Sequence, residues 1–132
     1  MPMLKKTKKI LLIEDDPAII DIYKTVLEKA HFDVEVISSG GDAIKRIKDL
    51  ALKKGETLDL VLIDLVLPDI SGMEVFREIK KDDITKTIKV FMLTNQQNDQ
   101  LLQWPDAIRP DQYLIKANIT TSQLVELIQK TI

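Results

Sequence analysis

"LDLVLIDL", residues 58–65, is an apolar run broken only by acids at Asp59 and Asp64. Such a run reads as a central strand buried on both faces, the kind found in parallel sheets covered by helices. An unpaired charge inside it is costly, so Asp64 needs a reason to be there.

The flanking segments repeat that logic. "KILLI" (9–13), "DVEVI" (33–37), "IKVFMLT" (88–94) and "QYLIK" (112–116) read as further strands. Between them lie segments of helical periodicity. In "PAIIDIYKTVLEKA" (17–30), Ile19, Ile22, Tyr23, Val26 and Leu27 recur at three and four residue steps. Asp16 is placed as its N-cap, with Pro17 in the first turn. His31 follows where a left-handed residue is expected, so it reads as a helix-end residue. "SGGDAIKRIKDLALKK" (39–54) turns Ala43, Ile44, Ile47, Leu50 and Ala51 inward. "SGMEVFREIKK" (71–81) opens with capping-box spacing at Ser71 and Glu74. In "NITTSQLVELIQKTI" (118–132), Thr120 and Gln123 form a second box, with Ile119 and Leu124 as its staple. Strand and helix alternate five times, which predicts a parallel five-stranded sheet with helices on both faces. Right-handed crossovers then bring every strand C-terminus to one edge.

Composition narrows the function classes. A chain of 132 residues closes one core. Nineteen basic and twenty-one acidic residues leave a formal charge of −2, so no global attraction to nucleic acid or membrane is expected. Cysteine is absent, which excludes disulfides and thiolate chemistry and fits a cytoplasmic location. "MPMLKKTKK" resembles the basic start of a signal peptide, but the apolar run after it stops at Glu14. Residues 1–8 read as a solvated basic tail and 9–132 as one domain. No stretch approaches the roughly 20 apolar residues of a membrane span.

The polar residues that interrupt the pattern sit at strand ends. Glu14 and Asp15 follow the first strand, Asp64 ends the third, Thr94 the fourth and Lys116 the fifth. Open α/β sheets bind ligands outside those carboxyl ends. Three carboxylates there repel one another unless a hard cation lies among them, and Mg²⁺, with its oxygen ligands, suits the set. Asp64 is then a nucleophile for phosphorus, Lys116 a neutralising cation and Thr94 a donor to a phosphoryl oxygen. Asp16 stays a cap.

These residues carry a close resemblance to the receiver domain of two-component response regulators, over residues 9–132. "ILLIEDDP" resembles the family's acidic-pair motif, with Glu14 and Asp15 at metal positions. "DLVLIDLVLPDISGMEV" resembles the phosphorylation segment: Asp64 takes the phosphoacceptor position, Val66 offers a backbone carbonyl to the metal, and Pro68 and Gly72 match the loop. "VFMLTN" carries Thr94 as the switch hydroxyl; "QYLIKAN" carries Tyr113 as the switch aromatic and Lys116 as the family lysine. The resemblance implies a flavodoxin-like (βα)5 fold of strand order 2-1-3-4-5. It also implies Mg²⁺ as cofactor and a sensor histidine kinase or histidine phosphotransfer protein as phosphoryl donor. An unidentified protein target would dock on the fourth helix, fifth strand and fifth helix, as on stand-alone chemotaxis-type regulators. The protein would be no enzyme beyond its own phosphorylation and dephosphorylation.

Three departures stand out. Ala117 replaces the usual proline after the lysine, where a cis peptide would cost about 2.5–4 kcal/mol, so a trans bond and a differently aimed lysine are expected. Asn95 replaces a small residue after the threonine. Pro105 falls within the expected fourth helix and predicts that it is short or broken, with Trp104 as core packing or a partner anchor. Val66 and Gln96, two positions past Asp64 and Thr94, are no water-activating acids, which predicts slow self-dephosphorylation. Two other readings stay open: a pseudo-receiver acting as a docking scaffold, and an aspartyl-phosphate phosphatase or phosphotransferase. The latter needs a second acid two residues after its nucleophile, where Val66 stands.

Overall fold

A computed structural model of the protein describes residues 7–53, 55–95 and 109–132. Its strands are β1 (Lys9–Ile13), β2 (Asp33–Ile37), β3 (Leu60–Asp64), β4 (Lys89–Thr94) and β5 (Gln112–Ile115). All neighbours pair in parallel, in the spatial order β2-β1-β3-β4-β5. The helices are α1 (Pro17–Lys29), α2 (Gly40–Leu52), α3 (Gly72–Lys81) and α4 (Thr121–Thr131). α4 is the helix expected as the fifth. The segment expected to hold a broken fourth helix, with Gln96, Trp104 and Pro105, lies outside the described residues, as do Lys5 and Lys6.

The two-residue period of each strand divides the core between two layers. Leu11, Ile13, Val61, Ile63, Val90 and Met92 face α2 and α3, against Ile47, Leu50, Val75 and Phe76. Ile10, Leu12, Leu60, Leu62, Phe91 and Leu93 face α1 and α4, against Tyr23, Leu27, Leu124 and Ile128. Burying each such side chain contributes about 1.5–3 kcal/mol, so the sheet is held from both sides. Every residue of β3 is buried, as its apolar run predicts. The strand starts two residues later than that run, and the Asp59 carboxylate just ahead of it accepts from the Lys9 amide at 2.7 Å. Ile22 departs from the inward set: it is 50 % exposed, and α1 buries a narrower face on Tyr23 and Leu27.

The helix ends follow the predicted caps with one correction. Asp16 accepts from the Ala18 amide at 2.9 Å with Pro17 opening α1, and His31 takes φ 70° after it. Thr120 and Gln123 close a reciprocal box at 3.1 and 2.9 Å, while Ile119 and Leu124 pack in one layer. Ser71 caps α3 through the Met73 amide at 3.1 Å, so the expected reciprocal bond with Glu74 is replaced by a one-sided cap. Among the described residues, no helix is long and apolar enough to cross a membrane.

Candidate functional site

Register carries the polar residues to one edge. Ile13 lies beside Ile63, Asp64 beside Leu93, and Thr94 beside Ile115. Glu14, Asp15 and Asp64 therefore meet at the ends of two adjacent strands, and the long Lys116 side chain reaches them from the end of β5. Glu14, Asp15 and Asp64 each offer one oxygen within 4.8 Å of the others. Glu14 is 1 % exposed and Asp64 5 %, whereas Asp15 faces solvent.

Lys116 holds the two buried acids. Its Nζ donates to Glu14 Oε1 at 2.5 Å and lies 3.4 Å from Asp64 Oδ2. The Lys116–Ala117 peptide is trans, as Ala117 predicts, and a single 3-10 turn over Lys116–Asn118 follows. The lysine is aimed into the acid cluster, at the edge where its place at the end of β5 puts it. Glu14 Oε2 accepts from the Asp15 and Asp16 amides at 3.0 and 3.4 Å, and Asp64 Oδ1 from the Val66 amide at 3.2 Å. Burial pushes the Glu14 carboxyl above the usual carboxylate range, and Asp64 adds to the rise while Lys116 opposes it. For Lys116, burial disfavours the charge, but the bond to Glu14 and the nearby Asp64 outweigh it and raise the ammonium pKa.

Two buried carboxylates sharing one ammonium, with a third acid at the rim, form a hard-oxygen donor set that fits Mg²⁺. Metal ligation requires the Glu14 carboxyl to be ionised. Because its pKa is raised, protons should displace the metal at a higher pH than an ordinary carboxylate would allow. Mg²⁺ affinity, measured by calorimetry, should begin to fall above the ordinary carboxylate range, as pH drops through the raised Glu14 pKa. A flat profile down to the ordinary carboxylate range would contradict this.

The remaining residues flank the cluster. Thr94 is buried at the end of β4, and Asn95 after it is exposed. Tyr113 pairs with Met92 and packs on the α2–α3 layer, the same sheet face that Thr94 shares by alternation. Its phenol oxygen is buried and has no hydrogen-bond partner among the described residues. Val66 is 71 % exposed and bridges backbone to Ser71. Of two further residues near the site, the sequence places Tyr23 only in the helical core stripe and gives no signal for Asp69. Tyr23, in the α1 layer, feels the charges of Lys116, Glu14 and Asp64, and burial raises its phenol pKa. Asp69 binds the start of α2, a partner 28 and 29 residues away that no local pattern signals.

Residues 10–129 match the family described as the response regulator receiver domain. The chain is 40 % identical over 86 residues to the DNA-binding dual master transcriptional regulator RpaA of a Synechocystis species, covering 65 % of this chain and 33 % of RpaA. It thus spans about a third of the length of that relative. Among solved structures, the phosphorylated cyanobacterial phytochrome response regulator RcpA is 28 % identical with a TM-score of 0.77, covering 95 % of this chain and 91 % of that one. The receiver domain of the sensor histidine kinase PA1611 of Pseudomonas aeruginosa, whose active-site cleft coordinates a magnesium ion, shares the fold at 23 % identity and a TM-score of 0.79. Those alignments cover 96 % of this chain and 98 % of that one. By its sequence match, its sheet order and the acidic cluster at its strand ends, the chain belongs to the response regulator receiver domain family.

Proposed function

We propose that residues 9–132 form a phosphoacceptor module in which Asp64 receives a phosphoryl group and the change is read by a protein partner. What carries this reading is Lys116 bonded to Glu14 and beside Asp64, at an edge where three carboxylates converge. The donor is a phosphohistidine on a sensor kinase or phosphotransfer protein. An Asp64 oxygen attacks phosphorus, the P–N bond breaks as the P–O bond forms, and the donor imidazole leaves with the bonding pair. Bound at Glu14, Asp15, Asp64 and the Val66 carbonyl, Mg²⁺ would supply positive charge that offsets the phosphoryl oxygens. Lys116 pairs with the new anion and Thr94 donates its hydroxyl to it. Thr94 and Tyr113 lie on one sheet face, and the Tyr113 phenol has no hydrogen-bond partner among the described residues, so a shift at Thr94 has a second side chain to move. This switches the β5–α4 surface for docking to the target. The module works in the cytoplasm.

Incubation with Mg²⁺ and acetyl phosphate, followed by intact-mass measurement, tests the reading. The wild type should gain one phosphoryl group, Asp64→Asn should gain none, and a chelator should abolish the gain. A wild type that binds Mg²⁺ yet gains nothing would favour the docking scaffold instead.

A further inference from the structure

The first turn of α2 has an ordinary local cap and, in addition, one from far away. Ser39 Oγ accepts from the Asp42 amide at 3.3 Å, as a helix N-cap does. The two amides ahead of Asp42 go elsewhere: Asp69 Oδ1 accepts from Gly40 at 2.8 Å and Oδ2 from Gly41 at 2.7 Å. Asp69 belongs to the loop that runs from Asp64 to α3. These bonds hold its carboxyl below the usual carboxylate range although it lies at the surface, so the tie is a charged one.

The same contact is sterically exclusive. A Cβ on Gly40 would lie 2.2 Å from Ile70 Cγ1, so the loop seats directly on the α2 backbone. At its other end the loop is fastened to itself: the Gly72 amide donates to the Leu65 carbonyl at 2.8 Å, and Val66 bridges Ser71. Val66 is therefore held between anchors: the Leu65 amide donates to the Leu93 carbonyl of β4 at 2.8 Å on one side, and Asp69 ties the loop to α2 on the other.

We propose that Asp69 is a positioning residue for the metal and phosphoryl chemistry, clasping the Asp64–Gly72 loop to α2 and so holding the Val66 backbone at the acid cluster. This rests on the phosphoacceptor reading for its function, but the clasp itself can be tested without it. Because coupling is reciprocal, a clasp that aids cation binding is itself tightened by the cation. The amides of Gly40 and Gly41 thus report on the site from outside it.

Hydrogen exchange at Gly40 and Gly41 in the wild-type protein, with and without Mg²⁺, gives the first test. Exchange should slow when Mg²⁺ binds. Calorimetry on Asp69→Ala should show Mg²⁺ affinity reduced about tenfold, the size of effect expected of a residue that orients a metal site from behind. Asp69→Asn, which keeps one acceptor oxygen, should fall between the two. Phosphoryl gain from acetyl phosphate should slow in Asp69→Ala at low Mg²⁺ and recover at saturating Mg²⁺. Unchanged Mg²⁺ affinity in folded Asp69→Ala would overturn the proposal, as would wild-type amides indifferent to a bound cation. Protected amides in a wild type that takes no phosphoryl would support the clasp and overturn the phosphoacceptor reading.

Discussion

Lys116→Ala should lose phosphoryl uptake while keeping Mg²⁺ binding. The ammonium lies against two carboxylates that are almost wholly buried, and its own side chain is 9 % exposed. Removing it leaves Glu14 and Asp64 to repel across a site with little water. Without metal, breaking such a buried pair should cost about 3 kcal/mol, which for a chain of this size lowers the melting midpoint by roughly 10 °C. Mg²⁺ should restore most of that loss, because it replaces the missing charge. Its affinity should hold or rise, since Lys116 competes with the metal for Glu14 Oε1. The rate of phosphoryl gain should fall about a hundredfold, the usual loss when one preorganised charge is removed from a transferring group. Melting curves with and without Mg²⁺, beside a mass time course, separate these effects. A variant unchanged in stability and rate would contradict the role given to Lys116.

Gly72→Ala should be comparably damaging for a steric reason. A Cβ there would lie 2.2 Å from the Asp64 carbonyl oxygen, 2.9 Å from Ile63 Cγ2 and 3.0 Å from Leu65 Cα. Two of those three neighbours are backbone at the end of the central strand, which is paired on both sides and cannot step aside. Overpacking of this kind costs about 3 kcal/mol. Relief requires moving α3 away from Asp64, so phosphoryl uptake should drop in whatever fraction folds. Gly55→Ala is the control. Gly55 has φ 91° and open space around it, so alanine there should cost only roughly 1 kcal/mol of backbone strain and leave uptake unchanged. Equal losses at Gly55 and Gly72 would show that crowding beside Asp64 is not the cause.

The strands were readable because each carries its own evidence. The apolar runs at 10–13, 60–63 and 90–93 are buried on both faces, so no register had to be guessed. The metal and phosphoryl candidates were readable for the opposite reason. Glu14, Asp64 and Thr94 break those runs at their C-termini, Lys116 does the same after β5, and parallel topology gathers such ends at one edge. What depended on rotamers or on distant partners was not legible. Ser71 and Glu74 have the spacing of a capping box, yet Ser71 bonds Met73. Ile22 fits the helical period of α1 but lies outside the strip that meets the sheet. Asp69 carries no local signal, since Gly40 and Gly41 come near only once β2 and β3 have been placed on either side of β1.

The most direct measurement asks which atom carries the phosphoryl group. Borohydride reduces an aspartyl phosphate to homoserine, so wild-type protein treated with Mg²⁺ and acetyl phosphate can be reduced, digested and mapped by mass. The expected result is homoserine at position 64 alone, absent when chelator is present. Homoserine elsewhere, or none in protein shown to bind Mg²⁺, would contradict Asp64 as the acceptor.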